Sequence, residues 1–354
     1  MAGDGAGMEE VQENRAVSLT AGEVRKGISG VLESAILCTL LYWFMPVLIK
    51  NGIFLVVKVA GWPTPSDSAQ YLLGFLGLYL ITMPLMILVL SRRPGTKPER
   101  MAFKGKQFIR LLAVSFGIMI TCNVVGMVIS TLVGSLVGVQ IQDYGVIELI
   151  SDVDTSLALV FISIVGPIYE ELIFRRMLVT RFLRYGEGVA VVLSALIFGI
   201  FHGNWSQFTY TFAIGMFFAV IYVKTGDIRI SMALHITINF IGSVLLGSLM
   251  KWAQYDQLLK VVMSARSGDM SQAVSFVTDN LTPVLCLYAF IFLEYAMAIA
   301  GIYLFMTHIG QVKLNARDYV ADKKEKAKVM FLNFGMISFL ILWIVEIVMT
   351  ILGV

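Results

Sequence analysis

Ala158-Leu159-Val160-Phe161-Ile162-Ser163-Ile164-Val165-Gly166-Pro167-Ile168-Tyr169-Glu170-Glu171-Leu172-Ile173-Phe174-Arg175-Arg176 lies in an apolar run long enough to cross a membrane, yet it carries two adjacent carboxylates and an arginine. On insertion scales a charged residue at the centre of a transmembrane helix costs about 2.5–3.5 kcal/mol. Ionisable groups set this close are tolerated when they pair, lose their charge or line a wet cavity. The span therefore points to a polar site inside a membrane protein.

Composition agrees with that class. Hydrophobic residues make up 58% of the 354 and charged residues only 14%, which is too little polar surface for a soluble chain of this length. Apolar runs of about 20 residues, the length that crosses a hydrocarbon layer roughly 30 Å thick, recur near 30–49, 70–90, 109–138, 156–183, 189–203, 206–223, 230–250, 282–306 and 330–353. The expected fold is all-α, a polytopic transmembrane helical bundle of about eight or nine spans with a catalytic cavity between central helices. The segment 51–62 is too short to cross and is expected at the interface, with Trp62 at headgroup level. Residues 1–28 carry Glu9, Glu10, Glu13, Arg15, Glu23, Arg25 and Lys26 without a signal-peptide h-region, and read as a cytoplasmic tail ahead of a single transmembrane domain over 29–354.

The net charge of +3 hides an asymmetry. With the N-terminus cytoplasmic, the loop holding Arg92, Arg93, Lys97, Arg100, Lys104 and Lys106 faces inward. So does the loop holding Lys313, Arg317, Lys323, Lys324, Lys326 and Lys328. The positive-inside rule is then met, and Asp143, Glu148, Asp152 and Asp154 fall outside. These basic loops read as topological signals, so no nucleic-acid partner is expected. Cys38, Cys122 and Cys286 lie in separate apolar segments with no motif spacing, which indicates neither a disulfide framework nor a cysteine metal site.

Polar chemistry concentrates in three places on three spans. Glu170 and Glu171 point about 100° apart on a helix, while Glu171 and Arg175 are i,i+4 neighbours that can pair, leaving one carboxylate free. Phe198 and His202 share a helix face, as do His235 and Asn239. Alone, such a histidine is a packing residue and such an Asn is interhelical glue. Together, glutamate, two histidines and asparagine suffice to hydrolyse an amide: a carboxylate to activate water, a histidine to share or move the proton, and donors for the oxyanion. No serine or cysteine elbow accompanies them, and the His-Glu-x-x-His zincin pattern is absent.

Glu-Glu-x-x-x-Arg (Glu170, Glu171, Arg175), then Phe-x-x-x-His (Phe198, His202), then His-x-x-x-Asn (His235, Asn239), in this order and on separate spans, resembles the CPBP family of CAAX-type intramembrane proteases. The resemblance covers about residues 160–245, and 156–250 would be the catalytic core. It implies Glu170 as general base, His202 as a partner holding the attacking water, and His235 and Asn239 as oxyanion donors. Glu171 and Arg175 would be a supporting pair, and Phe198 would shape the cavity. Members of the family are described both as glutamate-dependent proteases and as metalloproteases. No metal is favoured here, although Glu170, His202 and His235 could in principle form a two-His, one-carboxylate zinc site.

The resulting expectation is an endopeptidase acting on a membrane-associated peptide or lipidated protein, in a bacterial plasma membrane. Two readings compete. Intramembrane Glu and His also serve proton- or ion-coupled transport, but the sequence shows no second copy of the motifs of the kind transporter repeats carry. A non-catalytic immunity or sensor-partner protein would keep the fold without the chemistry. Glu33, Asn123, Glu294 and Glu346 match no motif and read as structural or membrane-edge residues.

Overall fold

The computed structural model describes residues 19–138, 153–203, 205–266, 270–316, 319 and 321–352. Most of the expected N-terminal tail (1–18), Asp143, Glu148 and Asp152 of the acidic connection, Arg317, and the side chain of Glu346 lie outside the described residues. Every regular element among the described residues is helical. In chain order they are α1 (Ala21–Val59), α2 (Asp67–Ser91), α3 (Lys106–Leu136), α4 (Thr155–Tyr185), α5 (Glu187–Phe201), α6 (Trp205–Thr225) and α7 (Ile228–Trp252), then α8 (Tyr255–Arg266), α9 (Ser271–Asp279), α10 (Leu281–Gln311), α11 (Lys323–Phe331) and α12 (Phe334–Leu352). Seven of these are long and apolar enough to cross a membrane, and α11 with α12, bent by 61°, makes a broken eighth. The 15-residue α5 is shorter than a full crossing.

Local sequence explains where the helices begin and bend. A capping box starts α1 at residue 21 rather than near 30: Thr20 Oγ1 accepts from the Glu23 amide while Glu23 accepts from the Thr20 amide. No breaker interrupts positions 49–52, since Asn51 and Gly52 only lower helix propensity. Residues 51–59 are thus not a separate short segment but the last turns of α1, with Trp62 just beyond them. At the other end Asn333 accepts from the Met336 amide and donates to the carbonyls of Val329 and Met330. That single residue closes α11 and caps α12, so the last span begins at Phe334 and not at 330.

Wide π turns run through 77–82 in α2 and 158–165 in α4, each followed closely by a proline, Pro84 or Pro167, that cannot donate its helical hydrogen bond. A further π stretch covers Glu171–Val179.

Buried side chains of α1, α2, α4, α5 and α6 form the main core, including Leu32, Met83, Leu90, Phe174, Phe182, Leu193 and Phe218. Lipid-facing surfaces are apolar and exposed, as along α10 at Leu285, Phe292, Ile299 and Met306. Against α3, α10 packs so closely that a Cβ on Gly301 would overlap the Ala113 carbonyl. Gly301→Val is therefore expected to cost about 1–3 kcal/mol of overpacking and to lower the unfolding temperature in detergent. Gly52→Ala, where a Cβ meets nothing within 4 Å, should not lower it. Equal melting curves for the two variants would contradict this packing.

One end of the bundle is stitched by loop contacts. The Thr96 amide donates to Thr180 O at 2.8 Å and the Met101 amide to Thr225 O at 2.9 Å. Arg100 pairs with Asp227 at 3.1 Å. Glu187 pairs with Lys224 and accepts from the Asn315 amide at 2.8 Å. Hydrogen bonds from Arg229, with help from Arg100, hold the Asp227 carboxyl below the usual carboxylate range. The loops after α2, α4, α6 and α10 thus share one face, as the alternation of spans requires, and it is the face that carries the basic loops.

Candidate active site

Helix α4 brings Glu170, Glu171 and Arg175 to the middle of the bundle, and α7 crosses it at three levels. Asn239 Nδ2 donates to Ile162 O at 3.0 Å, and the hydroxyls of Ser163 and Ser243 share a 2.9 Å hydrogen bond. Below these, His235 Nδ1 lies 3.1 Å from Glu171 Oε1. Interhelical hydrogen bonds of this kind hold helices together where lipid offers no hydrophobic drive. Counting from Arg184 puts His235 too near the basic face to meet Glu171. But the loop after α2 already reaches the Thr180 carbonyl, which puts Thr180 at the level of the basic loops. Measured from Thr180 and from Asp227, Glu171 and His235 lie about 13 and 12 Å deep at 1.5 Å per residue.

The two carboxylates have different surroundings. Glu171 is fully buried, with Oε1 3.2 Å from Arg175 Nη2 as well as 3.1 Å from His235. Arg175 is also fully buried, its guanidinium carbon 4.6 Å from the Phe198 ring centroid and 5.5 Å from that of Phe218. The ion pair is close by distance but not aligned as a hydrogen bond: Arg175 Nε, Nη1 and Nη2 and Glu171 Oε2 have no hydrogen-bond partner among the described residues. Coulomb attraction and the two aromatic faces hold the arginine. Glu170 is 18% exposed in its side chain, and its Oε2 lies 3.6 Å from His235 Nε2. One imidazole thus spans both carboxylates.

His202 sits at the very end of α5, where Gly203, at φ 63°, takes the left-handed turn that stops the helix. Its Nδ1 lies 2.8 Å from the Phe198 carbonyl. A carbonyl only accepts, so in the neutral ring Nδ1 carries the proton and Nε2 keeps a lone pair. The ring stands edge-on to Phe198 at 4.7 Å between centroids and within electrostatic reach of Glu170, His235 and Arg175. Phe198 thus touches three members of the group: Arg175, His202 and, at 6.1 Å between centroids, His235.

Glu170, Glu171, Arg175, Phe198 and His235 therefore converge directly, and His202 joins through Phe198. Asn239 is one turn along α7 from His235, with one amide hydrogen committed to Ile162. No three His, Cys, Asp or Glu side chains among the described residues are gathered closely enough to hold a metal ion.

Some neighbours had no signal in the sequence. Phe218 on α6 faces both Arg175 and His235, at 5.6 Å from the latter ring. Tyr42, Tyr79 and Tyr210, from α1, α2 and α6, lie within electrostatic reach of Glu170. Aromatic residues are common in spans, and only the packing selects these. Ser231 beside Glu171 could have been noticed, since it lies one turn before His235 on the same face.

Residues 152–241, which contain all three motifs, match a family model described as type II CAAX prenyl endopeptidase Rce1-like. The membrane-embedded CAAX protease MroQ of Staphylococcus aureus (strain USA300) is 27% identical over 173 residues, covering 46% of this chain and 68% of that protein. YdiL of Bacillus subtilis (strain 168), named as a putative membrane peptidase, is 33% identical over 84 residues, 23% of this chain. That match spans 34% of YdiL. No solved structure matches the chain.

Proposed function

We propose, on the premise that residues 152–241 belong to the CPBP family of CAAX-type membrane proteases, that this protein is an intramembrane endopeptidase that uses Glu170 to activate water. The observation that carries the reading is the His235 ring, with Nδ1 at Glu171 and Nε2 at Glu170. It ties the first and third motifs into one charged group. It also separates the carboxylates into one that is buried and paired and one that solvent can reach.

In this reading Glu170 takes a proton from a water as its oxygen attacks the scissile carbonyl carbon. Glu171 accepts from His235 Nδ1 and fixes the ring, and the protonated Nε2 stabilises the negative charge as the tetrahedral intermediate forms. His202 Nε2 accepts the water's other hydrogen and so helps to hold it, and Glu170, protonated by the first step, passes its proton to the leaving amine, so the C–N bond breaks with the amine neutral. Asn239 clamps α7 to α4, and its second amide hydrogen remains for the oxyanion. The substrate is a membrane-associated peptide or lipidated protein. The basic face is assigned to the cytoplasm and the N-terminus with it, in a bacterial plasma membrane.

The test is cleavage by the purified protein in liposomes of a C-terminally prenylated peptide and of a leader-type peptide, with products identified by mass spectrometry. One defined cut that survives a chelator is expected. Activity lost on chelation and restored by zinc would replace the metal-free mechanism. Absence of any product from a range of such peptides would favour a non-catalytic family member.

A further inference from the structure

We propose that Arg93, Arg181 and Arg184 form a binding site for the phosphate of an anionic lipid headgroup, at the basic end of the bundle between α1, the loop after α2 and the last turns of α4. They come from two parts of the chain, Arg93 from the loop after α2 and Arg181 and Arg184 from the last turns of α4. Arg93 Nε donates to Ser34 Oγ at 3.2 Å, and its Nη1 lies over Gly30, where a Cβ would stand only 2.9 Å away. Arg181, 7% exposed, donates to Leu90 O at 2.6 Å, to Met177 O at 2.9 Å and to Thr180 Oγ1 at 3.1 Å. A Cβ on Gly95 would lie 3.4 Å from its Nη1, so the loop backbone rests on this guanidinium. Arg184 has a buried Nε with no hydrogen-bond partner among the described residues, and its guanidinium carbon lies 5.6 Å from the Tyr185 ring centroid. Both Arg184 and Arg93 are within electrostatic reach of the Tyr185 phenol.

What sets these arginines apart from the basic loops is the missing counterion. No carboxylate among the described residues lies within 4.0 Å of any of them. Every hydrogen bond Arg181 makes goes to a neutral oxygen. Glu23 acts on Arg184 only from beyond that distance, and its carboxylate is tied to the Thr20 amide and hydroxyl at 2.8 Å each. Topology alone does not ask for Arg181 to be buried or Arg184 half-buried, because Lys97, Lys104 and Lys106, like Arg93, are exposed and satisfy the charge bias. A guanidinium drawn into protein without an anion is costly, and its planar fork of donors matches phosphate oxygens. The level along the bundle is that of the α2 and α4 ends, where headgroups stand. The occupant is therefore a lipid phosphate.

The experiment compares wild type, Arg93→Gln/Arg184→Gln and Lys97→Gln/Lys104→Gln in phosphatidylcholine bilayers with and without phosphatidylglycerol, reading retained lipid by native mass spectrometry and unfolding temperature in the same samples. Wild type and the lysine variant should retain phosphatidylglycerol and be stabilised by it. The arginine variant should retain about ten-fold less, the change expected for losing charge-assisted hydrogen bonds, with an unchanged unfolding temperature in phosphatidylcholine alone. Equal loss in both variants would mean diffuse surface attraction and overturn the site. So would wild-type retention by the arginine variant. Protection by inorganic phosphate in detergent to the same extent as by the lipid would overturn the lipid assignment. If the arginine pair fails to fold, the exposed Arg93→Gln alone reads the same contrast.

Discussion

Glu170→Gln is expected to lower kcat by about 10²–10⁴-fold, the usual contribution of a positioned general base, while the protein unfolds near the wild-type temperature. The argument rests on the asymmetry of the two glutamates. Glu170 makes one contact with a charged partner, at 3.6 Å to His235 Nε2, and its side chain is 18% exposed. A carboxamide fits the same space and can still meet the imidazole, but it cannot take a proton from water. KM should change little, because the substitution removes an interaction that matters in the transition state. Steady-state kinetics on the liposome peptide assay, with a melting curve for each variant, separate the outcomes. Cleavage by Glu170→Gln at the wild-type rate would remove Glu170 from the mechanism.

The second large effect concerns stability. Glu171→Ala and Arg175→Ala each strand a charge that is fully buried. Removing one partner of a buried pair typically costs about 3–5 kcal/mol. Arg175 would be left between two phenylalanine rings without its paired carboxylate, and Glu171 without its paired guanidinium. The double variant should cost clearly less than the sum, because neither charge remains to be stranded. Denaturant or thermal unfolding of the three variants measures this directly. Additive losses would show that the two side chains are not coupled. Activity should fall in all three, since His235 loses its anchor or its surroundings.

The motifs made the membrane class, the helical architecture and the residues worth attention legible in the sequence. Helical spacing alone separated Glu170 from Glu171, because adjacent residues cannot share a face. It also pointed to the Glu171–Arg175 pair, which depends only on positions four apart. Spacing could not say that His235 would bond the buried Glu171 as well as face Glu170, since that contact joins two spans 64 residues apart. Nor could it show Phe218, Tyr42, Tyr79 and Tyr210, which apolar composition hides among ordinary span residues. The end of α1 was misread because an apolar run shows where lipid could surround a helix, not where the hydrogen-bonded spiral stops.

The pairing within α4 has a consequence for biogenesis. A helix with two glutamates must enter the bilayer before its later partner exists: at about 5–20 residues per second, the 64 residues between Glu171 and His235 take roughly 3–13 s to synthesise. During that interval His235 has not yet been added to the chain. Arg175, one turn away on the same helix, is already present and can neutralise Glu171 without waiting for any other span. The arginine is thus the counter-charge that lets α4 leave the translocon on its own, holding the carboxylate until the histidine arrives.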